Sequence, residues 1–198
     1  DDTIKGSAGD DILYGGGGND SIIGGEGVDT IYGGDGNDNI SVGVGNYGLN
    51  DDDESGIQLV DAGAGDDYIQ GRDNQKILAG SGDDTIYGEI GDDTIDGGIG
   101  TDIAIYSGNQ SDYLITELSY AKYQVIDNRG TDGTDTVQFI ETLRFSDQDV
   151  DISPSGQNLT GTSSNDTLTA DSGDDLINGL AGDDTLKGLE GDDEIQGG

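Results

Sequence analysis

The 198-residue chain contains no cysteine, histidine, methionine or tryptophan, a single proline and only seven basic residues. Each absence removes a chemistry. Without His or Cys there is no imidazole base, no thiolate nucleophile and no soft-ligand site for zinc, copper or iron-sulfur clusters, so a bound metal must be hard and held by oxygen. Without Cys, no disulfide holds the chain, and pairing says nothing of its redox compartment. No long apolar run exists, so no membrane-spanning helix is expected, and no signal peptide or basic tail is visible. Against the seven basic residues stand 43 acidic ones, for a formal net charge of -36. That field argues against nucleic acid and anionic lipid as partners.

What is abundant is glycine, at 38 residues, together with Asp. Such a composition ordinarily means disorder, because too little apolar surface is available to offset the entropy of ordering. The order of the residues says otherwise. From residue 6 the chain divides into nines, GSAGDDILY, GGGGNDSII, GGEGVDTIY and GGDGNDNIS, preceded by the half-unit DDTIK. In this register VGVGNYGLN (42–50) and, after an insertion of Asp51 and Asp52, DESGIQLVD (53–61) are two degenerate units that replace the aspartate by Tyr47 and Gln58. AGAGDDYIQ, a shortened GRDNQKIL, AGSGDDTIY, GEIGDDTID and GGIGTDIAI continue the array to Ile105, and a second array runs from 161 to 196.

The eighth position of each unit is apolar: Leu13, Ile22, Ile31, Ile40, Leu49, Val60, Ile69, Leu78, Ile86, Ile95 and Ala104, then Leu168, Ile177, Leu186 and Ile195. One inward residue between two outward ones is a three-residue strand. The six residues before it must turn the chain, and glycine permits the backbone conformations that a tight turn needs. Two nines make one coil, so the expected fold is all-β: a parallel β-roll over 1–105, a small β cap or spacer over 106–154, and a second, truncated roll over 155–198. Pro154 marks the restart. One aliphatic side chain per nine residues cannot stabilise such coils alone, and stacking brings aspartates of alternate units together. A divalent cation between stacked turns converts that repulsion into coordination. Calcium fits, since it takes six to eight oxygens and each turn offers converging carbonyls and one carboxylate.

The units GGEGVDTIY and GGDGNDNIS resemble, at every fixed position, the nonapeptide Gly-Gly-x-Gly-x-Asp-x-U-x of the RTX (repeats-in-toxin), haemolysin-type calcium-binding repeats. The resemblance covers roughly residues 1–105 and 155–198. It implies folding triggered by calcium after export through a type I secretion system, in a secreted or cell-surface protein. It also implies the metal-binding turns. Their carboxylates are Asp11, Asp20, Asp29, Asp38, Asp67, Asp84, Asp93, Asp102, Asp166, Asp175, Asp184 and Asp193. Their glycines are Gly6, Gly9, Gly15, Gly16, Gly18, Gly24, Gly25, Gly27, Gly33, Gly34, Gly36, Gly63, Gly65, Gly80, Gly82, Gly88, Gly91, Gly97, Gly98 and Gly100 in the first array, with Gly173, Gly179, Gly182, Gly188 and Gly191 in the second.

Pairing alternate units predicts about six calcium sites: Asp11 with Asp29, Asp20 with Asp38, Asp67 with Asp84, Asp84 with Asp102, Asp166 with Asp184, and Asp175 with Asp193. The fifth-position acids Asp10, Asp66, Asp83 and Asp92 are expected to face solvent and serve solubility. In GRDNQKIL, Lys76 falls at the ligand position and Leu78 points inward. This predicts a metal-free rung in which the ammonium pairs with Asp93. Between the arrays, β-alternating runs at 113–118, 122–127 and 136–145 predict strands of a cap over Ala104; Asp132 and Asp135 there are expected to cap turns, with a further calcium as the alternative. Tyr14, Tyr32, Tyr68 and Tyr87 are expected on one wall, either packing across rungs or facing a glycan or other surface ligand.

Repeated carboxylates define no singular pocket, so no catalysis is expected. The expected function is a calcium-dependent structural and secretion module of a large exported protein, an adhesin or toxin-like exoprotein. The alternative is the non-catalytic repeat domain of a secreted protease, lipase or alginate epimerase. The chain begins and ends within units, as a piece of a longer protein would.

Overall fold

A computed structural model describes residues 1–43, 58–119, 121–153, 156, 158–170, 173, 175–189 and 194–198. Residues 1–152 and 153–198 form two separate compact units. The described elements are all strands apart from one 3-10 turn, Gln110–Asp112.

In the first unit the chain winds as a parallel roll with two walls. One sheet stacks Thr3–Ala8, Ser21–Glu26, Asn39–Ser41, Tyr68–Gln70, Thr85–Tyr87 and Ile103–Ile105. The facing sheet stacks Ile12–Gly17, Thr30–Asp35, Gln58–Ala64, Gln75–Ser81 and Thr94–Ile99. Neighbouring strands run parallel and in register, Ile22 against Ile40 and Ile31 against Val60. The eighth-position residues form the spine between the walls: Ile22, Ile31, Ile40, Val60, Ile69 and Ile86 are fully buried. The turns need glycine for two reasons. Gly34 holds φ at 112°, and a β-carbon there would collide with the Gly16 carbonyl of the coil beneath.

The coil length is not uniform. Most stacked partners are 18 residues apart, but Asp38 pairs with Asp67 across 29 residues and Asp67 with Asp84 across 17. The longer coil exceeds the others by one nonapeptide plus the inserted Asp51 and Asp52. Between Asp38 and Asp67 the stack therefore holds one unit fewer than the repeat register predicts, and the walls exchange phase there. Tyr47 and Leu49 lie outside the described residues. The phase change also corrects the tyrosines: Tyr14 and Tyr32 lie in the second sheet, Tyr68 and Tyr87 in the first. Tyr14 and Tyr32 stack face to face, centroids 4.9 Å apart.

The shortened unit also departs from expectation. Ile77 is fully buried and Gln75 is 1% exposed, whereas Lys76 is exposed and Leu78 only half-buried. The deletion falls in the turn before the ligand position, which puts Gln75 there and swings Lys76 out to solvent. The expected Lys76–Asp93 pair does not form.

The cap continues both sheets. Thr142–Arg144 pairs in parallel with Ile103–Ile105 and Thr134–Gln138 with Thr94–Ile99, after which Lys122–Asp127 and Tyr113–Ser119 add antiparallel strands. Tyr106, Tyr113 and Phe145 pack together under it. The expected strand at 136–145 is two strands, because its two halves serve opposite walls.

In the second unit Asn158–Thr160, Leu176–Asn178 and Glu194–Gln196 form one parallel sheet and Thr167–Thr169 and Thr185–Lys187 another. Ile177 is fully buried; Ile195, expected inward, is 47% exposed on the outer strand of its sheet. Pro154 lies outside the described residues.

Candidate metal centres of the stacked turns

Each turn ends by burying its sixth residue against the next coil. On the first wall the carboxylates form a continuous ladder. The Asp20 backbone N–H donates to Asp38 Oδ1 (2.8 Å), Asp38 to Asp67 (2.6 Å), Asp67 to Asp84 (2.8 Å) and Asp84 to Asp102 (2.8 Å). On the second wall Asp11 donates to Asp29 (3.0 Å) and Gln75 to Asp93 (2.8 Å). One oxygen of each carboxylate thus carries the stacking. The other, Oδ2, is buried without a hydrogen bond among the described residues at Asp11, Asp20, Asp38, Asp67, Asp84, Asp93 and Asp102. A buried oxygen left in this state is costly, and more so when charged.

Where the first position is glycine, the oxygens of Asp11, Asp20 and Asp38 face one kind of niche. A β-carbon added at Gly15 would stand 2.6 Å from Asp20 Oδ2 and would also strike the Gly33 carbonyl of the next coil. Gly6 relates in the same way to Asp11 and the Gly24 carbonyl, and Gly33 to Asp38 and the Ala62 carbonyl. Glycine at the first position therefore leaves a gap in which a carboxylate of one coil meets a carbonyl of the next. Ala62 and Ala79 hold this position in the coils of Asp67 and Asp84.

Removal from water raises five of these acids, Asp38 among them. Burial, reinforced by neighbouring carboxylates, pushes Asp67 up to about 7, Asp84 to about 6, Asp93 to about 8 and Asp102 to about 7. A column of buried, repelling carboxylates with unpaired oxygens opposite carbonyls is a donor set for a hard cation of high coordination number. It is unsuited to zinc or copper, which favour nitrogen and sulfur.

The remaining expected ligands divide. Gln58 and Gln75 occupy the ligand position in adjacent coils, and Gln75 Oε1 faces the same niche, between Gly71 and the Gly88 carbonyl, as a neutral oxygen. In the second unit the Asp166 N–H donates to Asp184 Oδ1 (2.9 Å), and Asp184 Oδ2 is buried without a hydrogen bond among the described residues. Asp166 differs: its Oδ2 accepts from the Thr162 N–H and hydroxyl. Asp175 is 2% exposed; Asp193 and Gly191 lie outside the described residues.

The fifth-position acids are exposed, yet they do more than dissolve the protein. Asp10 Oδ1 accepts the Val28 N–H, Asp66 the Asp83 N–H, and Asp83 the Thr101 N–H, each one coil on. The fifth position thus reaches forward along the stack and the sixth reaches back. In the cap, Asp132 accepts from the Ser107 backbone and hydroxyl and from Tyr113, with Arg129 beside it, and so serves as a turn anchor. Asp127 is held well below the usual carboxylate range: burial raises it, but Arg129, Thr131 and the Asp132 N–H outweigh that. Asp135 instead continues the hydrogen-bonded ladder of the second wall, accepting the Asp93 N–H at 2.9 Å.

Stacked turns of this composition, closing on rows of carboxylate and carbonyl oxygen, define a parallel β-roll with candidate metal sites between its coils. A family model described as RTX calcium-binding nonapeptide repeat (4 copies) matches residues 1–31, 14–49, 54–75, 71–104 and 160–195. The chain belongs to that family, and its repeats bind calcium. No curated protein matches the sequence. Among solved structures, the extracellular lipase LipA from Serratia marcescens is 21% identical with a TM-score of 0.30, over 89% of this chain and 28% of the lipase. The chain thus spans well under a third of that protein.

Proposed function

We propose that the chain is a non-catalytic, calcium-dependent structural and secretion module of a larger exported protein, an adhesin or toxin-like exoprotein, disordered in the cytosol and folded once outside the cell. The observation that carries this reading is the ladder of stacked carboxylates, in which Oδ2 of Asp11, Asp20 and Asp38 is buried without a hydrogen bond among the described residues and faces a carbonyl of the next coil. Such a ladder opposes folding until a cation fills it, so the ion gates the fold. About six ions are expected, at the seams between the paired aspartates. Among the described residues the buried carboxylates of the nonapeptides stand in this repeating arrangement, and none is set apart as an acid-base pair.

A gate of this kind serves an exported protein. Passage through a type I secretion channel needs an unfolded chain, and calcium outside the cell then folds it in place. The test is the calcium midpoint of folding, read by far-UV circular dichroism. It should fall at about 0.1–1 mM, the range of extracellular calcium modules. A midpoint below about 1 µM would make the chain fold before export and overturn the reading. The stacked pair of exposed Tyr14 and half-buried Tyr32 is the surface to examine for adhesion, on a glycan array with the calcium-loaded protein.

A further inference from the structure

We infer that the seam between the roll and its cap is itself a calcium site, built from Asp102, the Phe139 carbonyl and Glu141. This rests on the calcium reading above and extends it to residues outside the nonapeptides. Three observations carry it.

First, the ladder of the first wall does not stop at the last repeat. The Asp102 N–H donates to Glu141 Oε2 at 2.6 Å, 39 residues away, as the Asp84 N–H donates to Asp102. Glu141-Thr142-Leu143 stands over Asp102-Ile103-Ala104 with strands in parallel register, so the cap reproduces the acid-x-apolar end of a repeat. Second, Asp102 is completely buried and its Oδ2 has no hydrogen-bond partner among the described residues. That oxygen is aimed into the niche at Gly97, where an added β-carbon would stand 2.6 Å from it. Third, the same niche receives the Phe139 carbonyl, in the place taken elsewhere by the first-position carbonyl of the next coil. Phe139 holds φ at 50°, outside the ordinary range of a side-chain-bearing residue, and its N–H is tied to the Ala121 carbonyl of the neighbouring hairpin.

The other wall closes differently. Asp135 accepts the Asp93 N–H, but the niche at Gly88 meets Asp93 Oδ2 and the Ile95 side chain, with no cap carbonyl among its nearest atoms. The buried Tyr106 phenol lies beside Asp135 there. The cap is thus joined to the roll by a metal at one wall and by packed side chains at the other. With two carboxylates and a carbonyl from the protein, calcium would complete its shell with further carbonyls or water.

Two measurements test this. In crystals of the whole chain grown with calcium, anomalous density should lie among Asp102, the Phe139 carbonyl and Glu141. Peaks along the roll with none at this seam overturn the inference, and no peak anywhere overturns the calcium reading beneath it. In solution, Glu141→Gln keeps an oxygen to accept the Asp102 N–H but removes the charge. Ion counting after equilibrium dialysis should give one calcium fewer than wild type, and the near-UV signal of the cap aromatics should need about tenfold more calcium. An unchanged ion count refutes the site. Should the variant not fold, the crystal measurement on the unaltered chain decides.

Discussion

Acid should partly replace calcium. In the calcium-free folded chain Asp67, Asp93 and Asp102 are pushed by burial up to about 7, 8 and 7, against an ordinary value near 3.8. Each is at most 2% exposed. Ionising one of them without metal costs about 4–6 kcal/mol, since each tenfold displacement of a protonation equilibrium is about 1.4 kcal/mol. The three together cost on the order of 10 kcal/mol, as much as the whole stability of a typical domain. Between about pH 4 and pH 8 the calcium-free native state binds more protons than the unfolded chain, so its stability falls as pH rises through that window. With calcium bound the slope reverses, because the ligands must be deprotonated to hold the ion. Far-UV circular dichroism of calcium-stripped protein, taken from pH 8 down to pH 5 and so above the isoelectric point of about 4.1, should show β signal returning. A folded fraction that is flat over this range, or that grows with pH, would refute the argument that buried carboxylates oppose the calcium-free fold.

Three substitutions probe the ladder and its register. Asp84→Asn should raise the calcium midpoint by about tenfold or more, because it removes a charged ligand from the centre of a column, while making the calcium-stripped chain easier to fold at pH 8; equal effects with and without calcium would contradict this. Lys76→Ala should change stability in calcium by less than about 0.5 kcal/mol, since the side chain is exposed, whereas a salt bridge to Asp93 would make the loss several times larger. Ile86→Ala removes a fully buried spine residue and should cost about 2–5 kcal/mol by urea denaturation in saturating calcium.

Much of this fold is legible because its instructions are local. Glycine marks each turn, aspartate each ladder step and an aliphatic each inward position, all within nine residues. Errors arise where locality fails. The sequence at 42–50 and 53–61 keeps enough of the pattern to count as two units, but the stacking of Asp38 on Asp67 leaves room for only one. In GRDNQKIL the pattern allows the missing residue at either side of the ligand; Gln75 rather than Lys76 takes that position because burying an ammonium among the core residues would be far costlier than burying an amide. The part played by Glu141 depends on a strand 39 residues away, and no spacing announces it. A signal did exist in retrospect: Asp135-Thr136-Val137 and Glu141-Thr142-Leu143 both repeat the acid-x-apolar ending of the nonapeptide.

The central claim is that calcium and folding are one equilibrium in this chain. Far-UV circular dichroism at pH 7.5 tests it directly, in excess chelator and then in millimolar calcium. A disordered spectrum in chelator should give way to a β spectrum in calcium, with magnesium a poor substitute because it demands a tight octahedron and gives up its water reluctantly. A β spectrum that persists in chelator would contradict the account.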